Sequence, residues 1–316
     1  MSGKGMSIVV GVDGSDLAVA AARWAGAVAM RLGGSLHLVH VMRAVDEALL
    51  VIASPQQADA GSYPRELGQK VLERAAQEVR AEFPGLRISR TLSHRSPEDA
   101  LLDLSRHARL VVLASAEVTP GGALLEGSTT LTVATHSACP VVAWRGDSIA
   151  PTRAPIVVGV DDKEGSHAAL VTAFGLADLL GIGITAVHAL PERRAPGEIN
   201  IPFLVDQDAL EAEALQHLSA TVAPVTAKWP HIDVSYAVET GRAGRVILHN
   251  ADGAQLIVVG TRGRGNVASV LLGSTGLSLL HHSPAPVVIC PASFVWDEEP
   301  LPESHARDSA RAGTRR

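Results

Sequence analysis

Short, wholly apolar runs alternate along this chain with longer segments whose apolar residues recur at helical spacing. Ile8 to Val12 (IVVGV) is β-branched and stops at Asp13-Gly14-Ser15, which predicts a buried strand turning into a helix cap. Alanine-rich Ala18 to Leu32 predicts a helix closed by Gly33-Gly34, and Leu36 to Val41 a second strand. A looser stretch from Met42 to Tyr63 carries Pro55 and Gly61, and Pro64 follows it. Arg65 to Phe83 then predicts a charged amphipathic helix stopped by Pro84-Gly85. Leu86 to Leu92 predicts a strand, Pro97 to His107 a helix with proline at its start, and Leu110 to Leu113 a strand. Gly127 to Ser137 and Pro140 to Trp144 predict a last helix and a last strand.

The plan then repeats. IVVGVDGS at Ile8 is matched by IVVGVDDK at Ile156, His40 by His188, EGS at Glu126 by LGS at Leu272, and Pro140-Val141-Val142 by Pro286-Val287-Val288. Strands alternating with helices imply parallel strands joined by right-handed crossovers. The expected fold class is therefore α/β: two tandem doubly wound, open, parallel five-stranded sheets of Rossmann-like type. Residues 1–146 form the first expected domain and 147–295 the second, separated by the breakers Asp147, Pro151 and Pro155. Residues 296–316, polar and proline-marked, are expected to be a disordered tail. The last strand of each half, Pro140 to Trp144 and Pro286 to Cys290, is short and apolar and could pair with its equivalent, either within the chain or across a dimer.

Composition narrows the function. The 316 residues, 47% hydrophobic, suffice for two cores. A net charge of -6 and 3% aromatic residues argue against a nucleic-acid surface built on phosphate contacts and stacking. No apolar stretch approaches the roughly 18 to 20 residues that span a bilayer, so a soluble, intracellular protein without a membrane partner is expected. The two cysteines, Cys139 and Cys290, read as buried reduced thiols, and the 13 histidines show no metal spacing.

Candidate chemistry concentrates in GTRGRGNVASVLLGS, from Gly260 to Ser274. It follows the apolar run Leu256 to Val259 and carries Gly260, Gly263, Gly265 and Gly273 with Arg262 and Arg264. Backbone without Cβ atoms approaches a ligand closely and turns N–H groups inward, and Ser274 and Thr275 open a helix whose dipole favours negative charge. This is a phosphate cradle without the Walker lysine. In a doubly wound sheet, ligands sit beyond the carboxyl ends of the strands where the winding reverses. If the first and fourth strands of each half are neighbours there, Asp161 faces Gly260 and the crevice suits a nucleotide. Asp161 also reads as a helix cap, and His40 and His188 as satisfied crevice or core residues. His282, matched by His136, reads as a helix C-terminal residue facing the dipole.

The strand ending in Asp, the Gly-x2-Gly-x9-Gly-Ser spacing at Gly260, Gly263, Gly273 and Ser274, and HSPAPVVIC at His282 resemble the universal stress protein family in its tandem form, over nearly the whole chain. The resemblance implies an ATP-binding, cytoplasmic stress-response protein, often a homodimer and without a tightly defined catalytic reaction; a regulatory protein partner that reads the nucleotide-dependent surface is a separate expectation. By resemblance, Gly159, Asp161 and Ala189 bound the adenosine, while Gly260, Gly263, Arg264, Gly265, Gly273, Ser274 and Thr275 hold the phosphates. Arg262 has an even standing between phosphate contact and solvated charge. Mg²⁺ would arrive with the phosphates rather than at a dedicated site made by Asp161, Asp162 and Glu164.

The first half departs from this pattern. Ala114, Glu117 and Thr119 stand where Gly260, Gly263 and Gly265 do, Glu126 replaces Leu272, and Ala116 and Val118 replace the two arginines. Gly11, Asp13, Gly127 and Ser128 remain and would form at most a weak second site. The leading expectation is one competent ATP site, in the second half, serving a nucleotide-dependent regulator. A slow ATPase or nucleotidyl-transfer enzyme on the same fold, and a structural or oligomerising protein that binds no nucleotide, stand beside it.

Overall fold

The computed structural model describes residues 7–42, 62–115, 128–146, 150–161, 164–191, 207–261 and 272–296. In the first half the order is β1 (Ser7–Gly11), α1 (Asp16–Arg31), β2 (Ser35–Val41), α2 (Ser62–Glu82), β3 (Arg87–Ser93), α3 (Pro97–Ser105), β4 (Leu110–Ala114), α4 (Ser128–His136) and β5 (Val141–Trp144). The second half repeats it as β6 (Ile156–Gly159), α5 (Glu164–Leu180), β7 (Ile184–Leu190), α6 (Gln207–Thr226), β8 (Val234–Thr240), α7 (Ala243–Asn250), β9 (Leu256–Gly260), α8 (Ser274–His282) and β10 (Val287–Cys290).

Local chemistry explains the element ends. Ser15 caps α1, its Oγ accepting the Ala18 N–H at 3.1 Å, and the Asp13 carboxylate accepts the Ser15 N–H at 2.9 Å. At the other end Gly33 adopts φ +64°, and the N–H groups of Gly33 and Gly34 return to the carbonyls of Met30 and Ala29, a Schellman closure that an L side chain at Gly33 would strain. Ser96 caps α3 in the same way as Ser15, with Pro97 in the first turn.

Both halves have the expected parallel order. β1 lies between β2 and β4, and β6 between β7 and β9, so the winding reverses where the sequence placed it. The two five-stranded sheets are not separate, however. They form one ten-stranded sheet of order β3-β2-β1-β4-β5-β10-β9-β6-β7-β8, in which β5 and β10 pair antiparallel. The choice left open by the sequence is thus made within the chain. Val142 lies opposite Val288, Val141 opposite Ile289 and Ala143 opposite Val287. Because Val142 and Val288 hold the same place in the two repeats, each half offers the other the same surface, as in an isologous dimer.

Alternate strand residues feed two apolar layers that run through both halves. Ile8, Val10, Val112 and Val158 face α1, α2, α5 and α6, where Trp24, Val79, Phe174 and Val222 are buried. Val9, Val111, Val157 and Val259 face α3, α4, α7 and α8 through Leu101, Val133, Ile247 and Leu279. Cys139 and Cys290 are buried in opposite layers as free thiols, and burial pushes each thiol up to about 12.

Two further features tie the halves together. Arg145, immediately after β5 and 3% exposed, donates to the carbonyls of Leu280 and Ser283 at 2.6 and 3.0 Å and to the Ser115 hydroxyl at 2.9 Å. A first-half cation thereby satisfies the carboxyl end of second-half α8. Trp296 is the correction to the expected tail. It is buried at 5% exposure, 4.3 Å beneath the Arg109 guanidinium of the first half, and its indole lies so close to Gly175 of α5 that a Cβ there would meet Nε1 at 2.2 Å. Polar composition after Ser293 concealed this aromatic anchor. Residues 297–316 lie outside the described residues.

Arg145→Ala should destabilise the chain by about 2–4 kcal/mol in urea unfolding, since it leaves buried carbonyls without their donor. A change below about 0.5 kcal/mol would remove Arg145 as a tie between halves. The thiols supply a pH test. A native value near 12, above the ordinary 9.0, favours the neutral thiol, so this stabilisation is complete below pH about 9 and is lost as pH rises from there towards about 12. At pH 8 a disulfide-exchange reagent should label neither cysteine in the native protein and both in urea.

Candidate functional site

Beyond the carboxyl ends of β6 and β9 the sheet opens into a crevice of about 350 Å³. Its position follows from topology, because the crossovers leaving β6 and β9 pass to opposite faces and part there. Gly159 ends β6 and forms part of the floor. A Cβ on it would meet Ile247 Cδ1 at 2.6 Å and Val259 Cγ1 at 3.1 Å, so these two side chains close over a position that stays open only without a side chain. Val187, Ala189 and Pro191 supply one apolar wall and Ala243 and Ile247 of α7 the other. At the far side stand Gly260, Thr261, Gly273, Thr275 and Gly276.

Asp161 is the one titratable side chain among the described lining residues. Its orientation is set by Ser166, whose Oγ accepts the Asp161 N–H at 2.8 Å and donates to Asp161 Oδ1 at 2.5 Å. Ser166 is 6% exposed, so the pair is anchored from the protein side. Asp161 thus receives a hydroxyl from within the first turn of α5. His188 lies on β7 and donates from Nδ1 to the Val160 carbonyl at 2.9 Å, and His40 does the same to Val12 at 2.7 Å. Each fastens β7 or β2 to the segment leaving the neighbouring strand, as expected of satisfied histidines. His136 donates from Nδ1 to the Thr132 carbonyl at 3.0 Å in the last turn of α4.

At the phosphate end, α8 begins at Ser274. Its cap residue Gly273 makes no side-chain hydrogen bond, and among the described residues no side chain caps the first-turn N–H groups, whose dipole end suits an anion. A Cβ on Gly276 would meet Leu272 at 2.9 Å, which keeps that first turn bare.

Of the residues expected from sequence, Gly159, Asp161, Ala189, Gly260, Gly273 and Thr275 converge on this crevice. Ser274 is exposed and lines the neighbouring groove between α7 and α8. Arg262, Gly263, Arg264 and Gly265 lie outside the described residues, as do Asp162 and Gly127. In the first half, Asp13 is exposed and serves the Asx turn before α1, Gly11 sits under Leu113, and Ser128 begins α4. The sequence reading passed over Ser166, Ile247 and the Gly241-Arg242-Ala243 turn. A Gly at the junction of β8 and α7 was the available signal for the last of these.

Among the described residues, no helix is long and apolar enough to cross a membrane, and no group of three His, Cys, Asp or Glu is placed to hold a metal ion.

The family model for the universal stress protein family matches residues 6–145 and again 152–291. A universal stress protein of Mycobacterium tuberculosis (strain H37Rv) is 30% identical over 295 residues, covering 90% of this chain and 97% of the relative. One from Mycolicibacterium smegmatis is 29% identical over 287 residues, covering 89% and 96%. Among solved structures, a universal stress protein from Archaeoglobus fulgidus aligns with a TM-score of 0.69 at 19% identity, over 92% of this chain and 99% of that one. A putative universal stress protein from Pseudomonas aeruginosa aligns at 0.57 and 17% identity, over 90% and 93%. Both likenesses show the fold.

Gly159→Ala should cost about 1–3 kcal/mol of stability through overpacking against Ile247 and Val259. The companion Ile247→Val, which shortens the contacting side chain, should recover part of it in the double variant; strict additivity of the two changes would contradict this contact.

Proposed function

The chain belongs to the universal stress protein family, and we propose that it is an ATP-binding stress-response regulator whose competent site is the second-half crevice. One observation carries the reading: a single cleft has a fixed carboxylate at one end, Asp161, and the uncapped start of a helix at the other, at Gly273 to Thr275. An acceptor carboxylate suits the hydroxyl or amine donors of a nucleoside, the apolar walls from Val187, Ala189 and Ile247 suit a base, and the helix start suits phosphate. The volume lies at the small end of the range for small-molecule sites, in keeping with the nucleoside portion of a nucleotide. Gly260, Gly263, Arg262, Arg264 and Gly265 complete the phosphate side in this reading.

A regulator is favoured over a slow ATPase or nucleotidyl transferase by the lining itself. Among the described residues the crevice offers one carboxylate, already hydrogen-bonded to Ser166, and no histidine, lysine or cysteine to serve as a second proton carrier. Mg²⁺ would be carried in on the phosphates and held mostly by them and by water. Occupancy would change the surface that the stretch from Gly260 to Ser274 shows to a protein partner. A homodimer would have to use a surface other than β5 and β10, because those strands are already paired with each other.

Calorimetry with ATP and magnesium should give one site per chain, and Gly263→Glu, which copies Glu117 into the second half, should lower affinity at least about a hundredfold. Two equivalent sites per chain would overturn the single-site reading. No binding, and no rise in thermal unfolding temperature with millimolar ATP, would overturn the nucleotide reading.

A further inference from the structure

The two repeats treat one equivalent place in opposite ways. In the first half, Glu98 in the first turn of α3 accepts a hydrogen bond from the Thr129 hydroxyl in the first turn of α4. A carboxylate of the chain itself therefore sits at the start of α4, where the helix dipole favours negative charge. Beside it, Ser96 caps α3 by accepting the Asp99 N–H at 3.1 Å.

In the second half Thr275 keeps the place of Thr129, but Glu98 becomes Gly244. Packing forbids anything larger, since a Cβ on Gly244 would meet Ser278 Oγ at 2.8 Å and Ser278 Cβ at 2.9 Å. Ser96 becomes Arg242, which makes no capping bond to α7, and Asp99 becomes Arg245. The internal anion is removed, its helix start is left uncapped, and two cations are added. Arg242 and Arg245 are both exposed, and among the described residues neither forms an ion pair. With Ser274, Thr275 and Ser278 they line a groove between α7 and α8. Ala243 and Thr275 border both this groove and the crevice, so the two adjoin.

We propose that the α7/α8 groove is a phosphate subsite, in which Arg242 and Arg245 hold a phosphate group at the place that the Glu98 carboxylate fills in the first half. It rests on the nucleotide reading for its principal source, the distal phosphates of a nucleotide seated in the crevice; free inorganic phosphate carries the same chemistry. Guanidinium forks match phosphate oxygens two at a time, and the start of α7 and the hydroxyls of Ser274 and Ser278 supply further donors. The groove would make the crevice prefer nucleoside polyphosphates to monophosphates, and the first half, with Glu98 in place, would refuse them.

The test is the double variant Arg242→Ser with Arg245→Asp, which installs the first-half residues on exposed positions. Wild type and variant are titrated at low salt with ATP, AMP and inorganic phosphate, and their thermal unfolding is compared to confirm an intact fold. The expected result is a loss of about tenfold or more in ATP affinity with AMP affinity unchanged, and Lys at both positions should restore part of it. If the ATP to AMP ratio holds but wild type binds inorganic phosphate and the variant does not, the subsite stands with free phosphate as its ligand. If the variant binds all three probes as wild type does, the subsite is overturned while the nucleotide reading survives. If wild type binds no nucleotide, the crevice reading fails, and the phosphate titration alone then decides: arginine-dependent binding supports the groove, and its absence overturns it.

Discussion

The antiparallel pairing of β5 with β10 is the constraint on which the rest of this structure depends. Each half alone would end its sheet in a short, fully apolar edge strand with unpaired backbone groups, an aggregation hazard in water. Pairing the two edges removes both hazards at once and makes the two apolar layers continuous. It also fixes orientation. Because the pairing centres on Val142 and Val288, the strands of the two halves run in opposite directions, and their carboxyl ends, where ligands gather, point away from one another. Arg145 and Trp296 reinforce that arrangement from opposite halves, the first through backbone carbonyls at the end of α8 and the second through the Arg109 guanidinium.

That architecture frees the repeats to diverge. The carboxyl ends of β1 and β4 and those of β6 and β9 lie at opposite edges of the sheet, so a change at one place need not alter the other. The β strands have kept their pattern, whereas the turns at their carboxyl ends have not. Asp13 and Asp161 end equivalent runs, yet Asp13 serves an exposed turn and Asp161 is held by the buried Ser166 hydroxyl. Glu98 meets Thr129 in the first half, and Gly244 leaves Thr275 without that partner in the second. The difference between the halves is therefore electrostatic as well as conformational: one has supplied its own anion, and the other presents helix starts and arginines.

Fold class was legible because it depends on period and repetition. Wholly apolar runs such as Ile8 to Val12 and Leu256 to Val259 announce strands buried on both faces, and glycine or serine at their ends announces the turns. The convergence of Gly159, Asp161, Ala189, Gly260, Gly273 and Thr275 followed from one topological rule about where ligands sit in such sheets. Ser166, Ile247 and the Arg242 turn were not legible in the same way. They lie far from the glycine motif in sequence and belong to the site only because α5 and α7 pack beside β6. Trp296 was missed for a related reason, since a single aromatic in a polar context gains meaning only from the bare helix surface at Gly175 that receives it.

By itself, the sequence determined which segments become strands and helices, that the plan occurs twice, and that glycines gather between Gly260 and Gly273 in the second half but not at the equivalent place in the first. Those properties are local, set by side-chain period and by the φ/ψ freedom of single residues. Only the tertiary structure decided that the two sheets become one, that Asp161 is oriented by Ser166, and that Glu98 and Gly244 make opposite choices at equivalent helix starts. The first and last of these depend on distances between residues remote in the chain, and the second on the return of the start of α5 onto Asp161; no pattern of hydrophobic and polar neighbours encodes either.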